Sequence, residues 1–131
     1  MSDNPARHLS AAADGVRAFN HTSSATARDW EFPSHAYTAI GNLSHMVGML
    51  EQAIEQSTRP VMHTYEHGRV LIGNGGDADE KVAELVSAQN DALRAVAALT
   101  GAVQRMHKAT SPMGLDTEGI PEFADNEEHT A

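Results

Sequence analysis

The stretch AYTAIGNLSHMVGMLEQAIEQSTRPVMHT, residues 36–64, carries the pattern that decides the fold. It repeats hydrophobic residues at two positions of a seven-residue cycle, the spacing by which helices pack side by side. One row holds Ile40, Val47, Ile54 and Val61, and the other holds Ala36, Leu43, Leu50, Ser57 and Thr64. Because the repeat has no slip, we expect a long helix with a hydrophobic seam along one side.

A second run of the same kind covers residues 82–106. Its two rows hold Val82, Gln89, Val96 and Val103, and Leu85, Ala92, Leu99 and Met106. Gln89 occupies a place that valine otherwise fills. A buried polar residue at such a place sets helix register or partner number, whereas an exposed one marks only where the seam opens to solvent. The two runs together predict two long helices whose seams face each other.

Capping and helix-breaking residues give the element bounds. The predicted helices cover residues 5–21, 33–67 and 78–110, within one helical domain of residues 1–110. Pro60 removes a backbone hydrogen bond inside the second helix and predicts a kink there. Asp77 opens the third helix as its N-cap. Gly41 and Gly48 either allow close approach of another backbone or lower helix stability by roughly 1 kcal/mol each relative to alanine.

The fold class that follows is all-α, with a short N-terminal helix and a long antiparallel helical hairpin. A lone hairpin leaves much of its seam in water, and the first helix is too short to cover all of it. We therefore expect dimerisation to complete a four-helix bundle. The alternative is a compact three-helix monomer in which the first helix lies in the groove of the hairpin.

Composition excludes several classes of function. The chain of 131 residues has no cysteine, so disulfides and thiolate metal sites are impossible, and the net charge is −9. Residues 111–131 hold acidic side chains and no Lys or Arg, and we expect an acidic disordered tail there. No basic stripe for nucleic acid, membrane-spanning stretch or signal-peptide pattern is found. We expect a cytoplasmic protein that contacts neither nucleic acid nor membrane.

One string of residues has the spacing of a metal site. His63-Thr64-Tyr65-Glu66-His67 is an H-x-x-E-H motif, in which two histidines share a helix face and a glutamate stands ready as a base. Zinc peptidases with this pattern use a far larger fold and a further acidic ligand downstream. The string also follows Pro60 at a helix end. We therefore expect solvated histidines, no metal, no cofactor and no enzyme, with zinc catalysis as the least favoured alternative.

Several residues of the chain form a recognisable pattern: Arg17, Asn20, His21, Thr22, Pro33, Tyr37, Gly41, Leu43, Glu55 and Gly68-Arg69-Val70. They correspond to an IRALNHAT-like first helix, a P-x-x-x-Y-x-x-x-G-x-L second helix and a Gly-Arg-Val string. With this pattern the chain resembles a group of small helical actinobacterial proteins that have no established activity. The chain departs from the pattern at Glu51 and over residues 60–65. The resemblance implies a helical fold and an origin in or near mobile elements.

We predict a non-enzymatic helical interaction or assembly component that self-associates through its seams as a homodimer or higher oligomer. The seam residues are Ile40, Leu43, Val47, Leu50, Ile54, Val61, Val82, Leu85, Gln89, Val96, Leu99, Val103 and Met106. One alternative is an acidic inhibitor that covers a basic surface of another protein. Another is a secreted hairpin like the substrates of type VII secretion, although the only tryptophan, Trp30, precedes the first long helix instead of lying in the turn.

Overall fold

The computed structural model describes residues 4–24 and 29–119, and every regular element in these ranges is helical. The all-α prediction is thereby confirmed. The α-helices are α1 (Ala6–Ser23), α2 (Pro33–Gly48), α3 (Leu50–Ser57), α4 (Arg59–Glu66) and α5 (Ala78–Thr110), and Gly73–Gly75 forms a 3₁₀ turn. Among the described helices, none is both long and apolar enough to cross a bilayer.

The chain forms two compact units, of which the first comprises Met1–Ala36 and Met113–Ala131. In this unit the Phe19 and Trp30 rings meet edge to face, with centroids 5.3 Å apart. Nδ1 of His35 accepts hydrogen bonds from the backbone N–H groups of Glu31 and Phe32, each at 3.2 Å. Since the first N–H groups of a helix have no partner within it, His35 satisfies donors at the start of α2.

The second unit comprises Tyr37–Pro112. The helix predicted over residues 33–67 is divided there at Met49 and Thr58 into α2, α3 and α4. At the first break the Met49 N–H bonds the carbonyl of Met46 at 3.1 Å, which is the tighter turn of a 3₁₀ helix. The kink expected near Pro60 lies at Thr58, because Pro60 then falls in the first turn of α4, where no N–H is required.

A glycine-rich loop connects α4 to α5. Gly68 has φ +68°, and the N–H of Arg69 bonds the carbonyl of Thr64 at 3.0 Å, which is a Schellman ending. The carboxylate of Asp77 then accepts the backbone N–H of Asp79 at 2.9 Å and caps the start of α5. Both signals are local, so the chain reverses direction at the place that its sequence marks.

Helices α3 and α4 pack against α5. Three contacts show that the two arms run antiparallel: Tyr65 with Asp79, Thr58 with Gln89, and Tyr37 with His107. From the first pair to the third, the residue number falls along α4 to α2 and rises along α5. Val47, Val82 and Val103 form the buried core among the described residues. After Pro112 no helix is formed up to residue 119, and the remainder of the expected acidic tail lies outside the described residues.

Candidate interaction surface

The thirteen predicted seam residues divide into three groups by exposure. Val47, Val82 and Val103 are buried within the hairpin. Seven are half-buried: Ile40, Leu50, Ile54, Val61, Leu85, Gln89 and Val96. The other three, Leu43, Leu99 and Met106, are exposed, with 39%, 46% and 47% of their surface accessible. The hairpin thus uses most of the seam internally and leaves three of the predicted seam residues exposed to water.

The exposure of Leu99 and Met106 follows from helix geometry. A straight helix has about 3.6 residues per turn, so a strict seven-residue repeat drifts by about 20° in each cycle. Toward the end of α5 the residues nearest to Val103 on the inner side are therefore the half-buried Thr100 and His107. They take the inward positions that two facing seams would give to Leu99 and Met106, so the inward-facing seam does not extend to these two residues. In the row of Leu85, Ala92, Leu99 and Met106, only the first two residues face the inside of the hairpin.

The three exposed residues lie on one side of the hairpin. Leu43 precedes the buried Val47 by four residues, and Leu99 likewise precedes the buried Val103. At about 100° per residue each lies about 40° to the same rotational side of its valine. When two helices pack antiparallel, residues that are rotated by the same angle and in the same sense from the inward direction lie on the same side of the pair. We call Leu43, Leu99 and Met106 the exposed apolar face.

A contact between the rings of Tyr37 and His107 lies on the opposite side of the hairpin and agrees with this assignment of sides. Tyr37 and His107 have offsets of the other sense from Val47 and Val103, and their rings stack with centroids 4.5 Å apart. A Cβ built on Gly41 would lie 3.0 Å from Nε2 of His107, so the glycine makes room for the imidazole. The close neighbour of Gly41 is thus a side chain and not the backbone that was considered, and a Cβ on Gly48 meets nothing within 4 Å.

Gln89 makes a polar contact inside the hairpin. The Thr58 hydroxyl donates to Oε1 of Gln89 at 2.6 Å, and both residues are half-buried. Thr58 is the residue at the break between α3 and α4. Of the two roles considered for Gln89, the structure therefore supports the one in which it fixes helix register, here within one chain.

A second polar contact joins the base of the hairpin. The Tyr65 hydroxyl donates to the carboxylate of Asp79 at 2.5 Å. This hydrogen bond raises the pKa of Tyr65 above its ordinary value of 10.0, and the nearby negative charges of Asp79 and Asp77 act in the same direction. The phenol is accordingly held in its neutral, donating form.

The H-x-x-E-H string ends α4. The rings of His63 and His67 have centroids 4.7 Å apart, and Nδ1 of His67 donates to the carbonyl oxygen of His63 at 2.9 Å. Within the part of the chain that is described, no cluster of three or more metal-ligating side chains is formed. The structure therefore brings the two histidines together without completing the ligand set that a structural or catalytic zinc site uses.

A surface depression runs between α4 and α5. It is an open groove of about 510 Å³, lined by Met62, Tyr65, Asp79, Val82, Ala83, Val86, Ser87, Asn90 and Arg94. Its polar groups include the Tyr65–Asp79 bond and Arg94, which is ion-paired with Asp91. The groove lies on the side of Val86, away from the exposed apolar face, and the Tyr65–Asp79 hydrogen bond joins two of its lining residues.

Comparisons with known proteins give no relative: no family model, no curated protein and no solved structure matches the chain. The resemblance to the actinobacterial group therefore stays a prediction. Sequence reasoning missed Tyr37, Thr58 and His107 as partners across the hairpin. A polar Gln89 in a valine row was the signal for a partner such as Thr58. Gly41 was a signal for close approach, although its neighbour is the imidazole of His107 and not a backbone.

Proposed function

We propose that this chain is a non-enzymatic helical interaction protein that self-associates through the side of its hairpin. The observation that supports the proposal is the exposed apolar face, in which Leu43, Leu99 and Met106 lie together. Burying large apolar side chains is the main favourable term in protein association, at about 25 cal/mol for each Å² removed from water. Neighbouring exposed apolar side chains of this kind are typical of an interaction site.

The proposal rests on the exposed apolar face and assigns no role to His63 and His67, whose rings lie together at the end of α4. We place the protein in the cytoplasm, and the absence of cysteine fits a reducing compartment.

The test compares matched polar substitutions on the two sides of α5. Leu99→Ser removes an apolar side chain from the exposed apolar face, and Val86→Ser removes one from the other side. If the face binds a second copy, Leu99→Ser raises the dimer dissociation constant at least about tenfold, since it removes roughly 1.4 kcal/mol or more from the free energy of dimerisation. Val86→Ser leaves it within about twofold. Equal effects of both substitutions would contradict the proposal.

A further inference from the structure

Helix α5 carries a second heptad seam beside the one that closes the hairpin. From residue 85 to residue 109, uncharged residues follow one another at alternating steps of three and four: Leu85, Ala88, Ala92, Ala95, Leu99, Ala102, Met106 and Ala109. Leu85 and Ala92 are half-buried and belong to both seams, whereas Leu99 and Met106 are exposed and belong to the second seam alone. The alanine row belongs only to the second seam, and Ala95, Leu99, Met106 and Ala109 are all exposed. A helix with two adjoining seams is typical of a bundle in which it has two neighbours.

Resting on the proposed function, we propose that the second neighbour is α5 of a second copy of this chain, antiparallel to the first about a two-fold axis near Ala97. A two-fold interface requires a surface that is complementary to itself. In the register that overlaps the whole seam, paired residue numbers add up to 194. Leu99 then lies opposite Ala95 of the second copy, and Met106 lies opposite Ala88. Every large side chain meets a small one.

Charge at the edge of the seam favours the same arrangement. Asp91 and Arg105 lie beyond the alanine row, on the side away from α2. In the antiparallel register Asp91 of one copy is within about 3 Å, along the helix axis, of the level of Arg105 of the other. The contact occurs twice by symmetry. In a parallel pair Asp91 would face Asp91 and Arg105 would face Arg105.

The edge charges select a register and contribute little affinity. Asp91 is already ion-paired with Arg94 on its own helix, with the side chains 70% and 73% exposed. Exposed ion pairs are weak, whereas like charges held opposite each other disfavour the wrong arrangement. The apolar part of the seam therefore supplies the binding, and Asp91 and Arg105 determine the direction of the second helix.

The absence of cysteine from the chain makes cross-linking specific. Three variants, Ala95→Cys, Ala97→Cys and Ala109→Cys, each introduce one thiol in place of an exposed alanine. Ala95 lies on the seam near the axis, Ala97 lies at the same level on the other side of α5, and Ala109 lies at the far end of the seam. In the antiparallel pair the two copies of residue 109 are about 36 Å apart along the helix axis.

We treat each variant of the full chain with a short bis-maleimide and compare the rates of covalent dimer formation. Ala95→Cys is expected to react at least about tenfold faster than either control, because proximity raises the effective concentration. Fast reaction of both Ala95→Cys and Ala109→Cys would show a parallel pair and overturn the inference. Fast reaction of Ala97→Cys together with slow reaction of Ala95→Cys would place the interface on the other side of α5 and overturn it too.

Exchanging the charges of Asp91 and Arg105 tests the antiparallel register independently of the cross-linking. Asp91→Arg alone is expected to raise the dimer dissociation constant roughly threefold to tenfold, and the double change Asp91→Arg with Arg105→Asp to restore it. No restoration in the double variant would contradict the antiparallel register. If the native chain is a monomer at every concentration, the proposed function fails as well. A dimer that neither cross-links at Ala95 nor responds to the exchange leaves self-association standing and removes only this inference.

Discussion

The hydroxyl of Thr58 donates a 2.6 Å hydrogen bond to Oε1 of Gln89, joining the break between α3 and α4 to the middle of α5. The two residues are 31 positions apart and meet only because the chain turns back on itself. A directional contact between half-buried groups fixes how far one arm of a hairpin slides along the other. Apolar rows alone would tolerate a shift by one heptad.

We expect Thr58→Val to lower the free energy of unfolding by about 1–2 kcal/mol, since it leaves a half-buried amide oxygen without its donor. The double change Thr58→Val with Gln89→Leu should recover most of this loss, because both polar partners are then gone. Urea denaturation measures each value. Ser57→Ala is the matched control: its hydroxyl bonds the Ile54 carbonyl within the same helix, and removing it should change stability by less than about 0.5 kcal/mol. A loss in the double variant as large as in Thr58→Val would contradict this role.

The two glycines of α2 should respond differently to alanine. Gly48→Ala should stabilise the hairpin by up to about 1 kcal/mol, since nothing lies near the new methyl group and alanine favours a helix. Gly41→Ala should be less stable than Gly48→Ala by at least about 1 kcal/mol, because its methyl group presses on an imidazole already stacked against Tyr37. Thermal unfolding of both variants measures the difference. Adding His107→Ala to the Gly41→Ala variant and to the Gly48→Ala variant should abolish the difference in stability between them.

Tyr65 should make stability fall at high pH. Its pKa is raised in the folded chain by the hydrogen bond to Asp79, so its contribution is fully present below the ordinary value of 10.0. That contribution is lost as the pH rises through the folded pKa, where the phenolate loses the bond and faces a carboxylate. The difference in urea midpoint between native chain and Tyr65→Phe, followed from pH 8 to pH 11, should shrink above about pH 10. A difference that grows over this range would contradict the assignment.

The buried valines should carry more of the hairpin's stability than the apolar residues left outside. Val103 is 4% exposed, and Val103→Ala should lower the free energy of unfolding by about 2 kcal/mol through lost burial and a cavity. Val86 is 36% exposed, and Val86→Ala should lower it by less than about 1 kcal/mol. Urea denaturation at one protein concentration compares the two. Equal losses would mean that Val103 is not part of the core.

The helices and the hairpin could be predicted from sequence because their signals are local. The heptad rows identified the buried Val47, Val82 and Val103, and Asp77 with Gly68 marked the turn. Which members of a row point inward toward the end of α5 could not be predicted. That depends on whether the helix keeps about 3.6 residues per turn or supercoils to 3.5, and the neighbour decides it.

The side-chain partners across the hairpin also could not be predicted from the sequence. Residue spacing places Thr58 and His107 on helices, but their contacts depend on the relative shift of two elements far apart in the chain. The break at Thr58 shows the same limit. Pro60 indicates that the helix cannot continue unchanged, yet the interruption occurs two residues earlier, where the proline becomes part of a new first turn.

The central claim is that the hairpin self-associates, and the most direct measurement is absolute mass by light scattering behind size exclusion, over a hundredfold range of concentration. The chain has a mass of 14.0 kDa. We predict twice this mass over the upper part of the range, and a shift toward the single-chain mass in Leu99→Ser but not in Val86→Ser. A single-chain mass for the native protein at every concentration would contradict the account and favour a monomer whose first helix covers the hairpin.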